Sequence, residues 1–404
     1  GCTGQTLELT LNDDDGTVLD QQTFPGIDGT YQKTLSAAMG ETTARLNVNL
    51  TPLSDELSAD DNRFSFVIDV VTQPLRVLYM EGSNHKDKRW GDTWEYEFIA
   101  KPLRATGTIE VDVFTVDEQV ADGGRLFNVA KPDEGFPDTL ESLLNYDVVI
   151  CSDINRTIFS DAQLEWTRDL VAQHGGGFCM IGGYTAFGAG KWDRTVWEQM
   201  IPVDMKTESD GYEWEDVVPQ IPEGVRNHPL WHLDADADAN RRILARHPPF
   251  KGFNLVNRAK PAALILAWHE SREMPLICVQ PYGRGRSMAF LSDAAGGWGE
   301  LYQTEWGEGE RDNRYYQRFW VNAVRWLAEN SMSAHRTRLV ASTDAVTYAP
   351  GEAITIRARK LGLTRPEDLR QWTVTARLAG NDAQRPLALS LDERVNYCRP
   401  SIDV

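Results

Sequence analysis

The stretch Tyr146–Ile181, YDVVICSDINRTIFSDAQLEWTRDLVAQHGGGFCMI, holds a complete strand–helix–strand unit. Tyr146-Asp-Val-Val-Ile-Cys151 is almost continuously apolar, the pattern of a strand buried on both faces. Ser160 is the N-cap of a helix over Asp161–Val171. Gly175-Gly176-Gly177 ends that helix, and Phe178-Cys-Met-Ile181 is the next strand. Two strands joined through a helix pair in parallel.

The same alternation extends outward. Upstream lie a compact strand, Leu75–Met80, an amphipathic stretch, Trp94–Leu103, and a second strand, Ile109–Phe114. Downstream come Ala262–Trp268, Leu276–Gln280, Ser287–Leu291 and a closing helix from about Tyr315 to Glu329. Gly283-Arg284-Gly285 reads as a hairpin turn between two of these strands. Residues 74–333 are therefore expected to form a doubly wound α/β domain with helices on both faces of its sheet.

Both flanks change character. Residues 1–73 alternate apolar and polar with period two, as in Gln5–Leu11, Ala44–Leu50 and Phe64–Val70, with Asp15-Gly16 as a hairpin signal. Residues 334–404 do the same in Ala353–Ala358 and Trp372–Leu378. The expected architecture is multidomain, the α/β domain lying between two all-β sandwiches, the second of which reads as incomplete.

Composition narrows the partners. The 404 residues carry 41 Lys plus Arg against 60 Asp plus Glu, a formal charge of −19. That balance argues against nucleic acid or an anionic membrane surface as the partner. No run of about 18 apolar residues occurs, so no direct membrane insertion is expected, and no signal peptide is visible. The chain opens abruptly at Gly1-Cys2 and stops at Val404 in mid-pattern, so it reads as a fragment; Cys2 stands where the first residue of a mature lipoprotein would carry its lipid. The five cysteines, Cys2, Cys151, Cys179, Cys278 and Cys398, form no C-x-x-C pair, and three lie in strand-like runs as small hydrophobes.

Motif order then suggests a family. Arg76–Gly82, Trp94–Phe98, Tyr146–Ile150, Gly175–Gly183 and Tyr282–Arg286 together resemble the bacterial glutamine-amidotransferase-like proteins over roughly residues 74–330. Asp55–Asn62 followed by Phe64-Ser-Phe66 resembles the end of the Ig-like modules found beside such domains. The resemblance implies a flavodoxin-like fold of the class I amidotransferase type. It also implies a large, membrane-anchored, extracytoplasmic protein, in the periplasm or cell envelope, anchored through segments absent from this chain. Its expected partners are other envelope proteins or further domains of the same full-length chain.

The chemistry this resemblance requires is a thiol on the sharp turn after a central strand and a histidine after a later one. Here the turn is Gly182-Gly183-Tyr184, and the nucleophile position falls at about Gly183. Cys179 lies three or four residues early, and Leu291-Ser-Asp293-Ala has no histidine. The expectation is a non-catalytic binding or scaffold segment. The alternatives are a hydrolase or amidotransferase using a displaced Cys179 or a carboxylate site, and a carbohydrate-binding module at aromatic loops carrying Trp90 and Trp298.

The candidate binding crevice joins Glu81, Asp153, Tyr184 and Asp293, which end or follow strands at their carboxyl ends, where doubly wound sheets bind ligands. No cofactor or metal is expected. Asp13-Asp14-Asp15-Gly16 lacks the distal glutamate of a calcium loop, and Asp234-Ala-Asp-Ala-Asp238 lacks a second ligand cluster. His228-Pro-Leu-Trp-His232 has zinc spacing on a helix but no third ligand. His174 reads as a cation at a helix C-terminus, and His85 as a solvated loop residue.

Overall fold

The computed structural model describes residues 5–26, 33, 35–38, 40, 44–52, 56, 59–68, 74–82, 85–87, 91–117, 124–205, 211–309, 312–336, 339–343, 354–360, 375–377, 384–386, 389–392 and 397–402. The chain divides into two compact units: residues 1–74 with the short stretch 234–239, and the remainder.

In the first unit, β1 (Thr6–Asn12), β2 (Val18–Pro25), β3 (Ala44–Leu50) and β4 (Arg63–Ile68) form one antiparallel sheet in the order β2-β1-β3-β4. The aspartate run is the β1–β2 turn. Asp13 accepts the Thr17 N–H at 2.7 Å through Oδ1, and Gly16 takes the left-handed conformation there, at φ +85°. Where a sandwich was expected, one four-stranded sheet stands among the described residues.

The second unit is built on an eight-stranded sheet. Its parallel core comprises β5 (Leu75–Glu81), β6 (Ile109–Asp117), β8 (Val148–Ser152), β9 (Gly177–Ile181) and β14 (Gly285–Phe290). Strands β10 (Val203–Met205) and β11 (Val256–Ala259) form a separate antiparallel pair. Antiparallel strands close the edges of the main sheet: β7 (Arg125–Asn128) beside β6, and β12 (Leu264–His269) and β13 (Met274–Tyr282) beside β14. The spatial order is β12-β13-β14-β9-β8-β5-β6-β7. The sheet is thus mixed, whereas the sequence suggested an essentially parallel one. The antiparallel strands stand at its ends: the hairpin expected at Gly283-Arg284 forms, with Gly283 at φ +58°, and β7, unrecognised in the sequence, returns alongside β6.

The quoted strand–helix–strand unit folds as its pattern requires. All five residues of β8 and all five of β9 are buried. Between them runs α2 (Asp161–Ala172), preceded by α1 (Tyr96–Ala105). Ser160 caps α2 reciprocally: its hydroxyl accepts the Gln163 N–H at 3.3 Å, and Gln163 Oε1 accepts the Ser160 N–H at 2.9 Å. The closing helix α3 (Arg314–Arg336) buries Tyr316, Phe319, Trp320, Ala323, Val324 and Leu327, a stripe at three- and four-residue steps. Gly177 lets α3 approach β9, since a Cβ there would stand 2.6 Å from the Leu327 Cβ. Cys151, Cys179 and Cys278 are free and buried, each on a strand of this sheet.

Beyond α3, β15 (Leu339–Thr343), β16 (Ile354–Lys360), β17 (Leu389–Asp392) and β18 (Tyr397–Ile402) form an antiparallel sheet in the order β15-β16-β18-β17. Of the expected strand Trp372–Leu378, residues 375–377 are described and form a short strand, and the rest lies outside the described residues. Removing the α2 cap tests the local reading: Ser160→Ala should lower unfolding stability by about 1 kcal/mol in denaturant titration, with the m-value unchanged.

Candidate functional site

The carboxyl ends of the parallel strands gather four buried acids. Glu81 ends β5, Asp153 follows β8, Asp293 follows β14, and Glu95 stands immediately before α1; each is at most 1% exposed. Each turns at least one oxygen onto the backbone of a neighbouring loop. Glu81 accepts the N–H groups of Glu95 and Tyr96 at 2.8 and 2.9 Å, sitting on the positive end of α1. Glu95 accepts those of Ala294 and Ala295, and also the hydroxyls of Ser152 and, at 3.3 Å, Tyr79. Asp153 accepts the Thr185 N–H and hydroxyl, and Asp293 accepts the Trp298 N–H at 3.0 Å. Asp293 Oδ1 has no hydrogen-bond partner among the described residues.

Burial sets their ionisation. Glu81 and Asp293 are pushed well above the usual carboxylate range, first by loss of water and then by the negative charge of a neighbour, Glu95 for the first and Asp153 for the second.

The turn after β9 is a tight elbow. The Gly182 N–H donates to the Phe290 and Ser292 carbonyls, and Asn254 clamps Gly183 from both sides, accepting its N–H and donating to its carbonyl, each at 2.9 Å. Gly183 has φ +144°, a region few side-chain-bearing residues adopt. A Cβ there would fall 2.4 Å from the Asp153 Cγ, so the Asp153 carboxyl occupies the space a nucleophile would need. Asp153 itself holds φ +46°. Cys179 lies within β9, wholly buried, with its thiol pushed up by burial and then by the Glu95 charge.

Of the four residues assigned to a crevice from sequence, Tyr184 reaches solvent, at 36% exposure, while Glu81, Asp153 and Asp293 do not. Tyr184 packs with Tyr212, Trp214 and Trp298, at ring centroids 5.3 to 6.3 Å away. Glu95, Asn254, Tyr212 and Trp214 carried no sequence signal for this site; they enter it through long-range packing. Trp298 is buried, and Trp90 lies outside the described residues.

The metal candidates resolve into turns. Asp234 and Asp236 accept the backbone N–H groups of Asp236 and Ala239 at 2.9 and 2.7 Å. His228 and His232 flank a single 3₁₀ turn, Pro229–Trp231, rather than standing on one face of an α-helix. No group of three or more His, Cys, Asp or Glu side chains is placed to hold a metal ion among the described residues.

An α/β domain whose central strand leads into a glycine elbow, with a second strand end supplying the facing loop, defines an amidotransferase-like class. Residues 125–329, just over half of the 404, match the family model described as "Putative glutamine amidotransferase", and the chain belongs to that family. Asp153, Tyr184 and Asp293 fall inside the matched span; Glu81 and Glu95 precede it. Among solved structures, the chain is similar to cytoplasmic protein STM3548 from Salmonella typhimurium, at 21% identity and TM-score 0.46, over 63% of this chain and 99% of that one. It is likewise similar to cytoplasmic protein STM1381 from Salmonella typhimurium LT2, at 22% identity and TM-score 0.45, with the same coverage. No curated protein matches.

The raised carboxyls make stability depend on pH with a definite sign. A group whose folded pKa lies above its unfolded value stabilises fully below the unfolded pKa, near 4, and loses that contribution as pH rises toward the folded pKa. Asp293→Asn removes one such ionisation. The variant's stability relative to wild type should therefore improve between pH 5 and pH 8, by up to about 1.4 kcal/mol per pH unit while the wild-type group stays protonated. Urea titrations at the two values read this out, and a difference independent of pH would show that Asp293 ionises normally.

Proposed function

We propose that this chain is a non-catalytic binding or scaffold segment whose amidotransferase-like domain retains the elbow and lacks the thiol–histidine pair. The carrying observation is Gly183, where the Asp153 carboxyl takes the place of a nucleophilic side chain. The displaced alternative, Cys179, has the wrong environment: a reactive cysteine needs an exposed, electropositive setting that lowers its pKa, and burial raises this one. A carboxylate-based hydrolase is poorly supported, because the oxygens of Glu81, Asp153 and Asp293 are turned onto backbone amides or enclosed.

The parallel strands, numbered by their order in the chain, stand in the order 5-4-3-1-2, which supports a flavodoxin-like reading of the domain. The antiparallel sheets on either side in sequence support Ig-like flanking modules, with boundaries near residues 73 and 334. The same resemblance supports an extracytoplasmic, envelope-associated setting, with other envelope proteins or further domains of the full chain as partners. No helix among the described residues is long and apolar enough to cross a membrane.

Glutamine hydrolysis is the test. Wild-type protein should release no ammonia from glutamine, and Cys179 should resist thiol labelling until the protein unfolds, as read residue by residue by mass spectrometry. Robust hydrolysis abolished by Cys179→Ala would overturn the proposal. Gly183→Cys should also fail to create activity and should destabilise the fold by more than about 1 kcal/mol, since it combines a left-handed backbone with a steric clash.

A further inference from the structure

We infer that Trp214 forms, with Tyr184, a stacking subsite for a pyranose ring of a neutral saccharide; this names a ligand class for the non-catalytic reading above and rests on it. Trp214 is 51% exposed, a large aromatic held in water. It is not on a slack loop. The segment around it is bonded to neighbouring backbone at Gly211 (to Leu255), Tyr212–Glu213 (paired with Phe253–Asn254), Val217 (to Phe250) and Gln220 (to Trp268). Glu215, the next residue, is gripped by Arg272 at 2.6 and 2.9 Å. Behind the exposed ring stands buried Trp298, edge to face at 5.9 Å and 89°. An aromatic face fixed in advance loses little entropy when a ligand covers it.

The surroundings select the ligand. Glu213, Glu215 and Asp216 flank Trp214 in sequence, with Arg272 paired to the two glutamates, in a chain of formal charge −19, so phosphates and other anions are repelled. A cation cage needs rings facing a shared gap. Here Tyr184 meets Tyr212 and Trp298 edge to face at 5.3 Å, so the rings fill one another's space. A protein partner of ordinary size covers about 800 Å² per side. Among the described residues from 184 to 218, only Trp214, Tyr184 and Val218 are exposed large apolar side chains, too few for such a patch. What fits is a small uncharged ligand with one apolar face and a hydrated rim. A pyranose presents C–H groups on one face and hydroxyls around its edge.

The test is calorimetry and tryptophan fluorescence on the whole chain with a panel of neutral gluco-, manno- and galacto-oligosaccharides, with tetramethylammonium chloride and inorganic phosphate as rival probes. At least one oligosaccharide should bind. Trp214→Ala should weaken that binding about tenfold or more with the melting temperature unchanged, and Trp214→Phe should retain part of it. No oligosaccharide binding, binding unaffected by Trp214→Ala, or binding of a rival probe alone would overturn the inference. Chromatography of the recovered sugar separates the two proposals. Cleaved sugar defeats the non-catalytic reading and leaves stacking standing. Absent binding, with glutamine also untouched, defeats the saccharide and leaves the non-catalytic reading standing.

Discussion

Where parallel strands end, the chain must turn away through loops whose peptide N–H groups are buried and must find acceptors. In this fold side-chain carboxyls meet that demand. Glu81 receives the first turn of α1, Glu95 receives the loop after β14, Asp153 receives the loop after β9, and Asp293 receives Trp298. Cut off from water and set close to one another, two of these acids are driven well above their ordinary range. A protonated carboxyl still accepts a hydrogen bond from an amide, so the arrangement survives without a countercharge. The edge at which a doubly wound sheet ordinarily admits a ligand is therefore tied to itself.

This accounts for what the sequence disclosed and what it did not. Apolar runs such as Val148–Cys151 and Phe178–Ile181, and the Ser160 cap, report local rules, and the strands and helix follow them closely. The positions of Glu81, Asp153 and Asp293 at strand ends were equally legible, because strand ends are local. Their task was not. Whether a carboxyl meets a ligand or a backbone amide depends on loops distant in sequence: Thr185 lies 32 residues from Asp153, and Ala294 lies 199 from Glu95. Edge strand β7 escaped notice because four residues, Arg125–Asn128, are too short for a period to register.

The elbow separates shape from chemistry. Gly183 keeps a backbone conformation that costs other residues, and Asn254 holds it there with two hydrogen bonds. Those features would also serve a nucleophile, yet Asp153 fills the cavity they frame. Retention of the turn follows from its structural work. The Gly182 N–H bonds the last residue of β14 and Ser292 just beyond it, so the turn also joins two parallel strands at their ends. The turn therefore has structural work of its own, independent of any side chain at position 183.

The same separation distinguishes Trp214 from the other tryptophans. Thirteen occur in the sequence, and composition alone cannot rank them. Trp192, Trp197, Trp231, Trp298, Trp306 and Trp320 are fully buried and fill the core, where an aromatic ring stabilises simply by leaving water. Trp214 gains little of that benefit, and its neighbours commit backbone hydrogen bonds and an Arg272–Glu215 pair to keeping its segment in place. Exposed ion pairs contribute little stability, so the backbone pairings at Tyr212–Glu213 and Val217 are what chiefly hold that segment and keep the ring at the surface. The buried acids bind loops; at the surface, Trp214 presents the face to which the saccharide subsite is assigned.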